Sequence, residues 1–490
     1  MGSFRMTNLF RVVACTAALA LVSASADLAL AQFGGGGGQG GGGGGGLGGG
    51  GGGAGGGITG SGVVVDADGV VHRTTVSDTD GSLARRRAAE AMSRLEGDLA
   101  KPSKLRKVSL PRLERALKER LAAGQQPDDT MESLAGLTRI DYVLCYPPTS
   151  QADAGDIVLA GPAEPWGEAP NGKKLGVETG APVIELQDLA TALRAFPAGS
   201  SDAPLIYCSI DPTAEGLSRM QQFLAEYGRS ATPGDTQFIV EQLRERLGLQ
   251  IVTVGGVPAE THFAQVLVEA DYRMKLIGIG LEKPPVRLKS YVARANPAAV
   301  SQNALQRWFF VPDYERLRVS QDGLAMEIVG DGVKLVGEDE VVTRDGARRG
   351  AGHSNRASVQ FTKTFTKQYN NLAERAPVYA QLRNCIDLAV AAAFMQKHDF
   401  YNKADWQVSA LNDESAYSVE KYNAPQQVAT AVNSIWKGHT LMTPIGGGVV
   451  IKPADALEQV NLRIDEEGAT ADAHAAVVPS SVEADKWWWD

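Results

Sequence analysis

The chain is poor in the residues that usually announce a chemistry. Its 490 residues include four cysteines and six histidines. The histidines at 72, 262, 353, 398, 439 and 474 form no H-x-x-x-H or H-E-x-x-H pair, which excludes a local zinc signature. No G-x-S-x-G elbow and no G-x-x-x-x-G-K-[ST] phosphate loop occurs. Neither a metal nor a cofactor is expected. Long apolar runs are missing too: Val12 to Val22 spans 11 residues and Ile386 to Met395 only ten, against roughly 20 for a membrane span. The second reads as a buried helix. Nor is one sign of charge in large excess. A net charge of −9 fits solubility and argues against a nucleic-acid partner.

What is there begins with an address. Arg5 and Arg11 precede or flank the start of the Val12–Val22 run, and small-residue sites follow at Ala24-Ser25-Ala26 and Ala29-Leu30-Ala31. A basic start, a short apolar core and an A-x-A end form the pattern of a secretory signal peptide, with cleavage expected near Ala31–Gln32. Val12-Val13-Ala14-Cys15 has the look of a lipid-attachment box, but most of the apolar core follows Cys15 rather than preceding it. Gly34 to Gly57 then departs from glycine only at Gln39, Leu47 and Ala54. Such a tract cannot build a core and is expected to behave as a coil with a reach of about 25–30 Å. The expectation is an exported chain, periplasmic, envelope-bound or extracellular, tethered by a glycine leash.

Removing Cys15 leaves Cys145, Cys208 and Cys385, enough for at most one internal disulfide. Charge is unevenly distributed. Arg85 to Arg120 holds 12 basic against 5 acidic residues, and Pro453 to Asp490 holds 2 against 9. The basic stretch suits an anionic envelope component; the favoured reading is solvated helix faces, with docking to the acidic tail.

The expected organisation is a signal peptide (1–31), a glycine-rich linker (32–62), an N-terminal hairpin and helices (63–135), an α/β region (136–285), an antiparallel meander (286–345), a helical region with a terminal strand (346–452) and a disordered acidic tail (453–490). Val63–Val65 and Val70-Val71 read as strands about the turn Asp66-Ala67-Asp68-Gly69. Its D-x-D-G pattern falls short of a calcium loop, because Ser77 stands where the bidentate Glu belongs. Helices are expected at Leu83–Leu99 and Pro111–Ala123. Strands at Ile140–Tyr146, Asp156–Ala160, Leu205–Ile210, Leu249–Val254 and Met274–Gly280 alternate with helices at Glu185–Phe196, Pro212–Tyr227, Asp235–Leu247 and Ala259–Tyr272. That alternation argues for a sheet at least partly parallel. Asp322-Gly323, Asp331-Gly332 and Asp345-Gly346 then punctuate short apolar runs as hairpin turns do. Two helices near Ser358–Glu374 and Pro377–His398 follow, and Met442 to Ile451 reads as a strand. The fold class is therefore mixed α+β and α/β: a partly parallel sheet with flanking helices, an antiparallel β-meander and a C-terminal helical pair.

Candidate sites come from strand ends. Cys145-Tyr146-Pro147-Pro148, Cys208-Ser209-Ile210-Asp211-Pro212 and Val254-Gly255-Gly256-Val257-Pro258 each close an expected strand. Ligands of open α/β sheets sit beyond the carboxyl ends of parallel strands, so these ends define a possible cleft. The bland alternative is a helix N-cap at Asp211 with Pro212 in the first turn. A thiol mechanism needs Cys208 beside a base, and His262 is the nearby histidine. Cys208, Asp211 and His262 are thus the candidate catalytic residues. Glu269, Asp271, Arg273 and Lys275 alternate in sign and read as a solvated helix end. Gly446-Gly447-Gly448 reads as a turn. The helix dipole accounts for His398 in a last turn, and Phe394, Phe400, Tyr401 and Trp406 read as core. Trp487-Trp488-Trp489 is an unusual end for a flexible acidic tail.

The Val63–Val71 hairpin, the run Val268-Glu269-Ala270-Asp271-Tyr272-Arg273-Met274-Lys275, and Leu382-Arg383-Asn384 leading to Met395-Gln396-Lys397-His398 resemble secreted planctomycete proteins grouped as domain of unknown function 1598. The resemblance spans Gly62 to about Pro453. It implies export and one extended multi-part globular unit, and it carries no catalytic residue. Two readings follow: a noncatalytic binding or structural module of the cell envelope, favoured by the missing motifs, the leash and the aromatic tail, or an envelope hydrolase with its site at the strand ends.

Overall fold

The computed structural model describes residues 60–76, 78, 81–150, 154–227, 232–295, 305–312, 317–337, 340–342, 348–350, 356–433, 435–437, 440–442, 445–458 and 461–490. The segment expected to direct export, the glycine tract, Ser77, His353, His439 and the expected Asp345-Gly346 turn lie outside them.

Strands β1 (Gly60–Val65) and β2 (Val70–Val76) form the expected hairpin. The Asp66 carboxylate accepts from the backbone N–H groups of Asp68 and Val70, and Gly69 supplies a φ of +76°. Helix α1 (Ser82–Arg94) follows, and then a strand that the sequence pattern did not predict, β3 (Ser103–Ser109), which runs directly into α2 (Leu110–Ala122). Next come β4 (Tyr142–Tyr146), β5 (Asp156–Ala163), a small ribbon of β6 (Trp166–Glu168) and β7 (Lys174–Gly176), and α3 (Leu186–Ala195). Strand β8 (Ile206–Asp211) is joined to β9 (Leu249–Gly255) through α4 (Ala214–Tyr227) and α5 (Thr236–Leu247).

This double-helix connection corrects the expectation of parallel strands here. One crossover helix returns the chain to the start of its strand and gives a parallel neighbour. Two successive helices that pack on each other, through Met220 and Phe223 against Ile239 and Leu243, bring it back to the far end. Accordingly β8 and β9 are antiparallel, with Cys208 opposite Val254, and β4 and β5 are antiparallel as well.

Helix α6 (His262–Gly278) overturns a second expectation, that of a helix to Tyr272 and a strand at Met274–Gly280. Short apolar runs do not separate strand from buried helix. Here the run is helical because it is enclosed on all sides. At Gly278 a Cβ would lie 2.3 Å from the Trp308 ring, so only glycine allows that approach.

The remaining strands are β10 (Leu305–Pro312), β11 (Leu317–Val319), β12 (Ala325–Ile328), β13 (Val333–Gly337), the ribbon β14 (Glu340–Val342) with β15 (Arg348–Gly350), β16 (Gln427–Ala429), the ribbon β17 (Ile435–Lys437) with β18 (Thr440–Met442), β19 (Ile445–Ile451), β20 (Leu462–Ile464) and β21 (Trp488–Trp489). Helices α7 (Arg356–Lys367), α8 (Tyr369–Arg375), α9 (Pro377–Lys397) and α10 (Ala469–Ala476) complete the main elements. The Gly446-Gly447-Gly448 run lies inside β19 and is no turn.

Two large mixed sheets result. Sheet one has the order β1-β2-β16-β9-β8-β19-β10-β13, and sheet two the order β20-β11-β12-β4-β5-β3-β21. The parallel pairs of these sheets are β2–β16, β10–β19 and β11–β20. The fold is mixed α/β with partly parallel sheets and a C-terminal helical region. The expected meander is antiparallel but divided: β10 and β13 pair in sheet one, while the β11–β12 hairpin belongs to sheet two. Helix α6 lies on β8 and β19 and packs against α9, which in turn packs on α3. One contiguous apolar core joins residues of both sheets and these helices, including Val143, Ile206, Phe310 and Phe394.

The acidic tail is ordered. Strand β20 pairs with β11 at one margin of sheet two. The His474 ring of α10 stacks on Tyr146 at 4.3 Å, and β21 pairs with β3 at the opposite margin. The tail was opaque in sequence because its partners lie hundreds of residues upstream.

Candidate functional site

The polar residues of α6 are not a solvated helix end. Glu269, Asp271, Arg273 and Lys275 are all buried. Burying charges is costly unless they are paired, and each here has a partner. Arg273 donates from Nε and Nη2 to Glu282 Oε1 at 3.0 and 2.8 Å, and from Nη1 to Glu269 Oε1 at 3.4 Å. Glu269 Oε2 accepts from Lys173 Nζ at 2.8 Å, and the same ammonium donates to Gln381 Oε1 at 2.6 Å. Arg73 of β2 reaches the other Glu282 oxygen at 3.6 Å.

The Gln381 amide nitrogen sits 3.4 Å from His262 Nε2, which carries the chain of contacts to the first turn of α6. There His262 Nδ1 lies 2.9 Å from Asp188 Oδ2, and Nε2 lies 3.7 Å from Glu185 Oε1. Burial lowers the His262 pKa, but Asp188 and Glu185 outweigh it and raise it to about 9. The fold thus favours the protonated ring, set between two acidic side chains, while burial raises Asp188 above the ordinary carboxyl value. Asp188 Oδ1, Gln187 Oε1 and the Tyr379 hydroxyl are buried beside this chain without a hydrogen-bond partner.

Cys208 belongs to a different cluster. Lys275 Nζ lies 3.3 Å from Asp271 Oδ2 and donates to the Ile210 carbonyl of β8 at 2.9 Å. Burial raises the Cys208 pKa well above that of an ordinary thiol, with Asp271 adding to the shift and Lys275 opposing it. His262 is nine residues before Asp271 and thirteen before Lys275, or about 14–20 Å along the helix axis. The structure thus brings His262 to Asp188, and Cys208 to Asp271 and Lys275.

The premise of a common cleft fails geometrically. Cys145 is on β4 of sheet two, while β8 and β9 of sheet one run in opposite directions, so Asp211 and Gly255 lie at opposite ends of the pair. Asp211 is not the helix cap either: Thr213 Oγ1 accepts from Gly216 N before α4. The three thiols are free and buried. Burial pushes Cys145 to about 12, and Cys385 well above the usual thiol value. His398 also departs from expectation. Burial and then Lys403 and Lys397 lower it to about 4, so it stands neutral at the end of α9, stacked on Phe394, and is not a cation on the helix dipole.

Sequence reasoning missed Lys173, Glu185, Asp188, Glu282 and Gln381. A partial signal existed in α9, where Gln381, Asn384 and Asp387 recur at three-residue spacing within an apolar helix. A surface depression of about 400 Å³ is lined by Pro111, Glu114, Arg115, Lys118 and Trp406. Its Glu114 is fully engaged, accepting from Trp406 Nε1 and the backbone N–H groups of Ser409 and Leu411.

A mixed α/β protein with an ionic chain through its core is the class that fold and site define. Residues 208–291 match the family described as Protein of unknown function (DUF1598), so a DUF1598 domain runs from within β8 through α6 and contains Cys208, Asp211, His262 and the four charges of α6. The match is narrower than the span from Gly62 to Pro453. No curated protein and no solved structure matches the chain. None of the described helices is long and apolar enough to cross a membrane.

Proposed function

We propose that the chain is an exported, noncatalytic binding or structural module, tethered near the cell envelope by its glycine tract. The observation that carries this reading is the use to which the buried acids and bases are put. Lys173, Glu269, Arg273 and Glu282 neutralise one another, and Asp188 and Glu185 favour the protonated His262 ring. Groups committed in this way stabilise a unique packing rather than presenting a poised acid, base or nucleophile. The raised pKa values of the three thiols support the same view. An anionic envelope component fits the exposed part of the basic stretch, where Arg85, Arg86 and Arg94 lie on α1, because Arg106, Arg112 and Arg115 are engaged by the C-terminal segment.

Cell fractionation of the full chain and of a variant lacking residues 34–57 tests the proposal. The full chain is expected in the envelope fraction with a new N-terminus near Gln32, and the deletion is expected to loosen that association. The alternative, an envelope hydrolase, gains support if the purified chain turns over ester, peptide or glycosidic substrates and Cys208→Ala, Asp211→Ala or His262→Ala abolishes the turnover.

A further inference from the structure

Two sets of partners make opposite demands on the His262 ring. Gln381 of α9 is oriented by Lys173, whose ammonium donates to the amide oxygen at 2.6 Å. Its amide nitrogen is thereby left facing His262 Nε2 at 3.4 Å. An amide nitrogen only donates, so this contact needs a lone pair on Nε2, with the ring proton on Nδ1 towards Asp188 Oδ2 at 2.9 Å. Donation then runs from Lys173 to Gln381 to His262 to Asp188, the arrangement of a neutral ring. The carboxylates favour the other form: burial opposes a second ring proton, but Asp188 and then Glu185 outweigh it. That proton, on Nε2, cannot go to Gln381, because Lys173 holds the amide oxygen. Glu185 Oε1, 3.7 Å away, can take it.

We infer that His262 is a proton switch with Glu185 as its moving part, and that residues 422–426 carry its state to the β1–β2 hairpin. With the ring neutral, Nε2 accepts from Gln381 and Glu185 stands off. When the ring takes a proton from solvent, Nε2–H turns to Glu185 Oε1. The carboxylate closes from 3.7 Å to about 2.8 Å, the usual length of a charge-assisted hydrogen bond.

Glu185 is coupled outward. Its Oε2 accepts from Gln187 Nε2 at 2.7 Å, and the same amide nitrogen donates to the Tyr422 hydroxyl at 3.3 Å. The Tyr422 backbone N–H donates to the Glu260 carbonyl at 2.7 Å, just ahead of α6. From there the chain straps the hairpin: Asn423 Nδ2 donates to the Val65 carbonyl at 3.0 Å, and the Gln426 N–H to the Gly69 carbonyl at 2.8 Å. A carboxylate drawn towards the ring pulls on Gln187 and, through Tyr422, on this strap. Gln187 Oε1 and Asp188 Oδ1 are buried without a hydrogen-bond partner, so a second arrangement has acceptors to use. Cys385 of α9 and Tyr417 also feel Asp188 and Glu185, but burial raises both, so neither competes for the proton near neutrality. Burial does the same to Tyr422, whose ring centre lies 6.1 Å from that of His262. Lys173, paired with Glu269, is the facing cation and opposes the second ring proton.

The test uses the full chain. NMR of labelled histidine, assigned with His262→Gln, reads the ring, and hydrogen exchange corrected for its intrinsic pH dependence reads the strap. The ring is expected to titrate between about pH 5 and pH 10. Protection of the Tyr422, Gln426 and Gln427 amides should fall severalfold on the protonated side of the same midpoint. Global stability moves the other way, because the protonated ring stabilises the fold, so the local loss is distinguishable. Glu185→Gln should lower the ring's midpoint by roughly one pH unit and remove the change in the strap. Gln187→Ala keeps every charge: the ring should still titrate while the strap no longer responds. Strap protection that ignores the ring's midpoint overturns the inference. An undiminished strap response in Gln187→Ala does so too, as does a ring that fails to titrate while the chain stays folded.

Discussion

Helices α1 and α6 each carry an arginine and a glutamate four residues apart, and the two pairs have opposite consequences. Arg86 and Glu90 of α1 stand 3.9 Å apart with side chains 70% and 55% exposed. Glu269 and Arg273 of α6 stand 3.4 Å apart with both side chains 6% exposed. Water solvates the first pair whether or not it forms, so its contact adds little. The second has lost nearly all of its water, and each charge depends on the partners the fold supplies: Lys173 for Glu269, Glu282 for Arg273. Identical residues at identical spacing are thus a surface ornament in one helix and a condition of folding in the other.

Breaking the buried pair has the largest expected effect. Arg273→Ala leaves Glu269 and Glu282 short of a partner and should cost about 3–5 kcal/mol in urea or guanidinium unfolding. Arg273→Met combined with Glu282→Leu, which removes both charges, should recover much of that loss; if the double variant is as unstable as the single one, the network is not held by charge balance. A smaller effect follows from His262. The folded state keeps its proton to about pH 9, whereas the unfolded chain gives it up near 6.5. This contribution is therefore full below about pH 6.5 and falls as pH rises through about 9, by an amount on the order of 3–4 kcal/mol. Unfolding midpoints measured across that window should decline in the parent chain and flatten in His262→Gln. The smallest effect closes the comparison: Arg86→Ala should change stability by less than about 0.5 kcal/mol, and a larger loss would mean that α1 makes a contact beyond its own pair.

Much of the secondary structure was legible because it rests on local periodicity. Helices α2, α3, α5 and α9 and strands β4, β5, β8 and β9 fall where apolar spacing and turn residues put them. Strand direction was not legible, since it depends on how α4 and α5 return the chain. Strand β3 was hidden because a lysine- and arginine-rich stretch does not advertise a buried arginine. Of the candidate site, His262 and the α6 charges were visible as residues but not as a network. Their partners stand at 173, 185, 188, 282 and 381, and only folding makes them neighbours. The charge alternation from Glu269 to Lys275 suggested solvent for the same reason: without its partners in view, a buried charge looks like a surface one.

The ordered tail that closes both margins of sheet two also sets a schedule. Strand β3 ends at residue 109 and its outer neighbour begins at residue 488. At synthesis rates of about 5–20 residues per second, the interval between them is roughly 20–75 s. For that time the margin bearing Arg106 has no covering strand of its own, while the rest of the sheet is being delivered. A chaperone that holds the young chain would have its longest task there.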